Sequence, residues 1–257
     1  MKRPRKPYDK YGMYERAVQR PRFDIDFVNR VFTGERARVP LALREDFCGT
    51  AFISAEWVRS HPKRTALGLD LHAATLAWGR KWNIAPLGDQ AHRVTLLRKD
   101  VRSVFSPKAD VTVAFNFSYS VFMTREDLVD YFRKAKRAIK PDGAFMLDGY
   151  SGPDSLERGN EVRNYAKFVY TWDQRPMDAI TGRALRYIHF RMKGQRKKME
   201  RAFTYDWRLW AITELVDALR EAGFSRVDVY DEKKNGYRRV ARAEWKDAFI
   251  PILVAWV

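Results

Sequence analysis

The sequence predicts an α/β protein: a mostly parallel seven-stranded sheet with helices on both faces and an antiparallel β cap inserted late in the chain. Two observations carry this. Five short apolar runs, at 41–47, 65–71, 94–100, 110–116 and 144–148, alternate with segments of helical spacing, and that alternation belongs to a parallel sheet. Residues 150–207 then break it. Tyr165–Trp172, Ala184–Met192 and Ala202–Trp207 are rich in β-forming residues, and Gly182 and Gly194 separate the later pieces. Two further runs, 224–230 and 249–256, complete the sheet, the last at its C-terminal end.

Each element has its own signal. Tyr8, Tyr11, Tyr14 and Val18 recur at helical spacing inside a basic start, so part of residues 1–22 folds as a helix with one aromatic face. A second helix follows at about 23–32, and Gly34 and Pro40 punctuate the approach to the first strand. Residues 1–40 thus form a basic arm with lid helices, and 41–257 one domain with its cap at about 150–207. Thr50–Ser60 is predicted helical, with Phe52, Ala55, Trp57 and Val58 inward and His61-Pro62 closing it. A helix starting near His72 carries Leu76, Ala77 and Trp78. Thr124 and Asp127 can form a capping box, with Leu128, Phe132, Ala135 and Ile139 on one face, and Lys140-Pro141-Asp142-Gly143 supplies a turn. Leu215, Val216, Leu219 and Ala222 line the last helix, which Gly223 caps.

The stretch from Leu41 to Asp70 bears on function. It reads strand, acidic pair, Cys48-Gly49-Thr50 turn, helix, strand, and a lone acid about twenty residues after the glycine. In a doubly wound sheet that acid accepts hydrogen bonds from the vicinal hydroxyls of a ribose. The spaced glycines of a dinucleotide turn are missing, because Phe47, Ala51 and Phe52 occupy their places. Close approach to a pyrophosphate is then sterically poor, and a ligand with an adenosine but no phosphates fits better.

At this point the chain resembles the class I, Rossmann-like S-adenosylmethionine (SAM) dependent methyltransferases, over roughly residues 40–257. Glu45 matches the acid of their first motif, Gly49 its middle glycine and Cys48-Gly49-Thr50 its core, while Phe47 and Ala51 replace the outer glycines. The resemblance implies SAM as cofactor, contacted by Glu45, Phe47, Gly49, Asp70 on the ribose, Asp100 on the adenine amino group, the Val101 amide on the ring, and Asn116. It also implies an N-terminal helix lying over the pocket as a lid.

Asn116-Phe117-Ser118-Tyr119 partly resembles the Asn-Pro-Pro-Tyr motif of amino-group methyltransferases. There the asparagine oxygen and a backbone carbonyl hold an exocyclic amine while the tyrosine ring stacks on the acceptor, which makes Asn116 and Tyr119 the candidate catalytic residues. Phe117-Ser118 also matches a pair carried by small-molecule N-methyltransferases with an antiparallel cap. Tyr150 and the cap's Trp172, Trp207 and Arg208 are candidate acceptor residues, with His189 and Tyr205 nearby in the same segment. Methyl transfer from a sulfonium needs positioning and desolvation of the nucleophile more than a strong base, so the lack of a Ser-His-Asp set is no obstacle.

The charge points elsewhere as well. There are 49 Lys and Arg against 32 Asp and Glu, a net +17, clustered in residues 1–22, at 191–201 and at 233–242. Such an excess supports salt-dependent RNA or ribonucleoprotein contact, although a basic enzyme with solvated faces has the same composition. No run approaches a membrane span, the basic start has no apolar stretch behind it, and four scattered histidines give no metal constellation. One cysteine excludes an internal disulfide and suits a reducing compartment, cytoplasm or organelle interior. Three readings stay open: methyl transfer to a nitrogen or oxygen of a small molecule, methyl transfer to RNA or a ribonucleoprotein component, and a non-catalytic basic assembly factor with this fold.

Overall fold

The computed structural model describes residues 5–234, 236–244 and 246–257; Met1–Pro4 of the basic arm lie outside the described residues. Helices α1 (Lys10–Ala17) and α2 (Pro21–Arg36) precede the sheet. Then follow β1 (Ala42–Asp46), α3 (Phe52–Arg59), β2 (Thr65–Asp70), α4 (Ala73–Gly79), β3 (Val94–Arg98), β4 (Ala109–Ala114), α5 (Arg125–Arg137) and β5 (Ile139–Asp148). A short α6 (Pro153–Leu156) leads into the cap strands β6 (Gly159–Asn164), β7 (Phe168–Met177), β8 (Arg183–Met192) and β9 (Lys198–Arg208). Helix α7 (Ile212–Glu221) and strands β10 (Arg226–Lys233), β11 (Gly236–Val240) and β12 (Ile252–Trp256) finish the chain.

The main sheet runs β11-β10-β12-β5-β4-β1-β2-β3. Strands β1 to β5 are parallel, whereas β12 is antiparallel to both β5 and β10. Strand order reverses between β1 and β4, and ligands of open α/β sheets bind beyond the carboxyl ends of the strands at such a point. The cap is a separate antiparallel sheet, β6-β7-β8-β9.

The expectation of seven main strands falls one short. β11 adds an edge to β10, and its Gly-Tyr-Arg-Arg-Val sequence has the charged character of a blunted edge, not the apolar run of a central strand. The cap likewise has four strands where three apolar segments were expected, because β6 is exposed and polar along nearly its whole length. The turn expected at Lys140–Gly143 is instead a bulge inside β5. Ala109 pairs with Ile139, but Val111 already pairs with Ala144, so four residues loop out of register.

Apolar layers cover both sheet faces. Phe27, Phe32, Trp57, Leu76 and Trp256 pack on one side, and Tyr131, Phe132, Phe145, Leu215 and Leu219 on the other. A third cluster joins α1 to the cap through Met13, Ala17, Phe168, Tyr170, Ile188 and Phe190. The aromatic face of α1 expected from the sequence therefore docks on the cap, while Asp9 caps the helix by accepting from the Gly12 amide at 2.8 Å. Among the described residues no helix is long and apolar enough to cross a membrane.

One buried ion pair ties the sheet to a loop at its ligand-binding edge. Arg44, 2 % exposed, donates from Nε to Asp46 at 2.7 Å, and from its two terminal nitrogens to the carbonyls of Ser103 and Val101. Tyr131 donates its hydroxyl to the other Asp46 oxygen at 2.9 Å. Arg44→Ala leaves a buried carboxylate without its cation and releases the 101–103 backbone, and it should cost about 3–5 kcal/mol of stability by thermal or denaturant unfolding.

Candidate active site

The turn after β1 decides whether a cofactor can sit at the switch point. Phe47, Gly49 and Ala51 all have left-handed backbone, with φ of 54°, 53° and 55°. These are the three positions of the Gly-x-Gly-x-Gly turn, so the glycine path is kept although two of its glycines are gone. A non-glycine residue there costs roughly 1–2 kcal/mol. The surroundings hold it in place. Gly49 donates its amide to Asp70 Oδ2 at 2.8 Å, Cys48 N donates to the Leu69 carbonyl at 2.8 Å, and Ala51 N to the Cys48 carbonyl at 2.7 Å. Gly79 of α4 comes so close that a Cβ there would lie 2.4 Å from the Thr50 carbonyl oxygen. Cys48 is buried, and burial pushes its thiol well above its usual range.

Asp70 Oδ1 accepts from the His72 amide at 2.7 Å, so each carboxylate oxygen has one backbone partner. Each also keeps a lone pair, as accepting two vicinal hydroxyls requires. The space over Gly49 is open, since a Cβ built there would meet only Thr75 Cγ2, at 3.8 Å. An adenosine ribose fits this combination of cradle and acceptor. Glu45 is turned away from it: its carboxylate accepts from the Ser54 amide at 2.8 Å and from the Ser54 hydroxyl, and burial pushes it up to about 8. It braces the start of α3. Phe47 packs edge-on against Phe122 and Tyr131.

At the end of β3, Asp100 accepts from the Arg102 amide at 2.8 Å and from two guanidinium nitrogens of Arg102, and those contacts hold its carboxyl below the usual range. The Val101 side chain is buried and its carbonyl is held by Arg44. The two residues expected at the adenine are thus fixed in place from opposite sides of the chain.

A second left-handed turn follows β4. Asn116 and Phe117 have φ of 60° and 56°. Asp148 at the end of β5 accepts from both amides, at 2.8 and 2.9 Å. Tyr119 was expected to stack on an acceptor, but it is 1 % exposed and donates its hydroxyl to the Asp148 carbonyl at 2.8 Å. It supports the turn from behind. The ring that faces the cleft is Phe117, stacked on Tyr150 with centroids 4.8 Å apart and set edge-on to Trp207.

That cleft, of about 680 Å³, lies between the cap and the strand ends, and Asn116, Phe117, Asp148, Tyr150, Trp172 and Trp207 all line it. Gln174 accepts from the Tyr150 hydroxyl and, at 3.0 Å, from the Trp172 indole. Tyr205 also lines the cleft. Arg208 does not: it stacks on Trp210 at 3.7 Å and donates to the Met123 carbonyl at 3.1 Å. His189 is held within the cap by Asp173 at 3.3 Å and the Arg201 amide at 3.1 Å.

Sequence reasoning missed three residues. Asp148 was read only as the end of a strand, although its place beside the β4 terminus was the available signal. Asp24, on the first turn of α2, reaches the same cleft, and α2 gave no hint of it. Glu15 is buried on α1; it accepts from Thr50 Oγ1 and Asn83 Nδ2, both at 2.7 Å, and from Lys6, latching α1 to the first turn. Burial pushes both Asp24 and Asp148 up to about 7; Asp148's charge adds to the effect on Asp24, and the Phe117 and Asn116 amides oppose it at Asp148. Among the described residues no group of three metal-ligating side chains converges.

Three outcomes follow. Ala51→Gly should be neutral or stabilising by up to about 1 kcal/mol, and Ala51→Val clearly destabilising, in thermal unfolding. Asp24 binds its proton more tightly folded than unfolded, so its contribution to stability falls as pH rises from about 4 to about 7. Asp24→Asn should therefore stabilise more at pH above that window than below it. Asp70→Ala should weaken binding of SAM or S-adenosylhomocysteine by about 1.5–3 kcal/mol in calorimetry, because charge-assisted hydrogen bonds to the ribose are lost.

Comparison with known proteins agrees with this geometry. Residues 47–143 match the family model of a methyltransferase domain. No curated protein matches the sequence. Among solved structures, the chain is similar to an S-adenosylmethionine-dependent methyltransferase from Clostridium acetobutylicum (15 % identity, TM-score 0.73, covering 96 % of this chain and 97 % of that one). It is also similar to SAM-bound CalS10, an amino pentose methyltransferase from Micromonospora echinaspora (15 %, TM-score 0.70, 99 % of each chain). A third likeness is to the sugar N-methyltransferase KedS8 from Streptoalloteichus sp. (15 %, TM-score 0.66, 100 % and 96 %). At these identities the structures establish the fold. With the family match over the first turn and the adjoining strands, residues 47–143 are identified as a methyltransferase domain, in a chain whose fold is that of the class I, Rossmann-like SAM-dependent methyltransferases.

Proposed function

We propose that this methyltransferase acts on a nitrogen of a small molecule held in the cleft beyond β4 and β5. The observation that carries the reading is the Asn116–Phe117 turn. It lines a cleft of about 680 Å³, within the usual range for small-ligand pockets, at the same carboxyl-end edge of the sheet as Asp70 and Gly49, which would hold the ribose. SAM supplies a sulfonium methyl group. Asp70 would hold its ribose, the Phe47–Ala51 turn its underside, and Asp100 with the Val101 amide its adenine.

The chain's own residues then do three things. The Asn116 side chain, at the strand end, accepts from the acceptor N–H and points the nitrogen lone pair at the methyl carbon. Phe117, Tyr150 and Trp207 exclude water from that line. The nitrogen forms its new bond to carbon as the carbon–sulfur bond breaks, and its surplus proton leaves to a carboxylate or to water. Nitrogen is favoured over oxygen because the Asn116 side-chain oxygen at the strand end can accept from an acceptor N–H and leave the nitrogen lone pair free for attack. The relatives named as an amino pentose methyltransferase and a sugar N-methyltransferase support the same reading. Of the basic residues in the clusters expected to favour RNA, Arg20 alone is among the cleft's lining residues, and Lys233 and Arg239 are paired with Asp231 and Asp228.

In single-turnover transfer from labelled SAM, Asn116→Ala should lower the rate by 10-fold or more while SAM affinity stays within about twofold, since the lost contact orients the acceptor. An equal loss of both, or no loss of rate, contradicts the positioning role.

A further inference from the structure

We propose that the cleft selects acceptors that enter as cations: an ammonium attached to an apolar or aromatic body, without phosphate. The proposal rests on the cleft being the acceptor site and adds the chemical class it takes.

The lining has the opposite charge balance to the protein. The chain carries a net +17, yet six carboxylates line the cleft (Asp24, Asp148, Asp154, Glu157, Glu161 and Glu232) against three guanidinium groups, those of Arg20, Arg158 and Arg163. One of the three is already committed, because Arg163 donates to Glu161 at 2.5 Å. Arg20 and Arg158 are exposed, as are Asp154, Glu157, Glu161 and Glu232; the carboxylates held further inside are Asp24, on which the Arg20 charge acts without a salt bridge, and Asp148. Asp24, Asp154, Glu157 and Glu232 make no ion pair among the described residues. The lining therefore keeps an excess of carboxylates in a chain whose overall charge is strongly positive.

The uncharged walls suit the same ligand. Phe117 stacks on Tyr150, Trp207 stands edge-on to both, and Trp172 and Tyr205 extend the array with centroids 6.0 and 4.7 Å from Trp207. Aromatic faces attract an ammonium and pack against an apolar body. A partly desolvated carboxylate such as Asp24 strengthens the attraction, because fewer water dipoles screen it. An anionic acceptor meets the reverse situation: it must be desolvated beside unpaired carboxylates. An ammonium bound this way must lose a proton before its nitrogen can attack, and a carboxylate whose affinity for protons is raised can take it.

Three probes that share a phenylalkyl body and differ chiefly in head-group charge are 3-phenylpropylamine, 3-phenylpropanamide and 3-phenylpropionate, titrated calorimetrically into the full chain at pH 7.5 and low salt. The amine should bind at least 10-fold tighter than the neutral amide, and the carboxylate more weakly than either. Asp24→Asn and Glu232→Gln should each shrink the amine-to-amide ratio several-fold and leave amide affinity unchanged. Equal affinity for amine and amide, a preference for the carboxylate, or no amine binding at millimolar concentration overturns the proposal. Transfer assays with labelled SAM keep the two readings apart. Tight cation binding with no methylation of any amine contradicts the proposed function while the charge selectivity stands. Methylation of a neutral or anionic acceptor, with no preference for the cation, does the opposite.

Discussion

The ligand-binding edge of this protein depends on carboxylates at strand ends that hold neighbouring turns in left-handed backbone. Asp70 ends β2 and accepts from Gly49 in the turn after β1; Asp148 ends β5 and accepts from Asn116 and Phe117 in the turn after β4. In each case the carboxylate belongs to the strand beside the turn it holds, so parallel pairing itself delivers the acceptor to the amides. Five residues of these turns have positive φ, and four of them are not glycine. Such backbone persists only where its surroundings over-determine it, and it clusters where ligands are bound.

Other parts of the molecule make sense as supports for those turns. Arg44 links Asp46 at the end of β1 to the Val101 and Ser103 carbonyls, so the strand leading into the first turn and the loop after β3 share one buried cation. Glu15 reaches from α1 to Thr50 and Asn83, and the opposite face of α1 packs on the cap. The helix therefore spans the first turn and the cap. Tyr119, buried under the second turn, ties it back to the Asp148 carbonyl.

Much of this was legible in the sequence because it rests on local pattern. The apolar runs and their terminal acids located β1 to β5, the spacing from Gly49 put Asp70 at the end of β2 beside the first turn, and the aromatic spacing of Tyr8–Val18 found α1. What escaped depends on tertiary placement. β6 and β11 are polar edge strands, held by pairing and not by an apolar face, so no periodicity marked them. The loss of two motif glycines suggested an altered turn, yet Phe47 and Ala51 keep the left-handed path because Asp70, Leu69 and Gly79 close around it. Tyr119 and Arg208 had the right chemistry for a site, but the fold turns one into the core and the other toward Trp210 and Glu214. Asp24 was invisible for the complementary reason: only the docking of α2 brings it to the cleft.

The central claim is that a turn lacking two of its three glycines still forms a working cofactor cradle, braced by a neighbouring carboxylate. A crystal structure of the protein with S-adenosylhomocysteine tests it most directly. The account predicts ribose hydroxyls on both Asp70 oxygens, with Gly49 still donating to Asp70 and Phe47, Gly49 and Ala51 still at positive φ. A ligand seated elsewhere, or a turn that rearranges to right-handed backbone on binding, would contradict it.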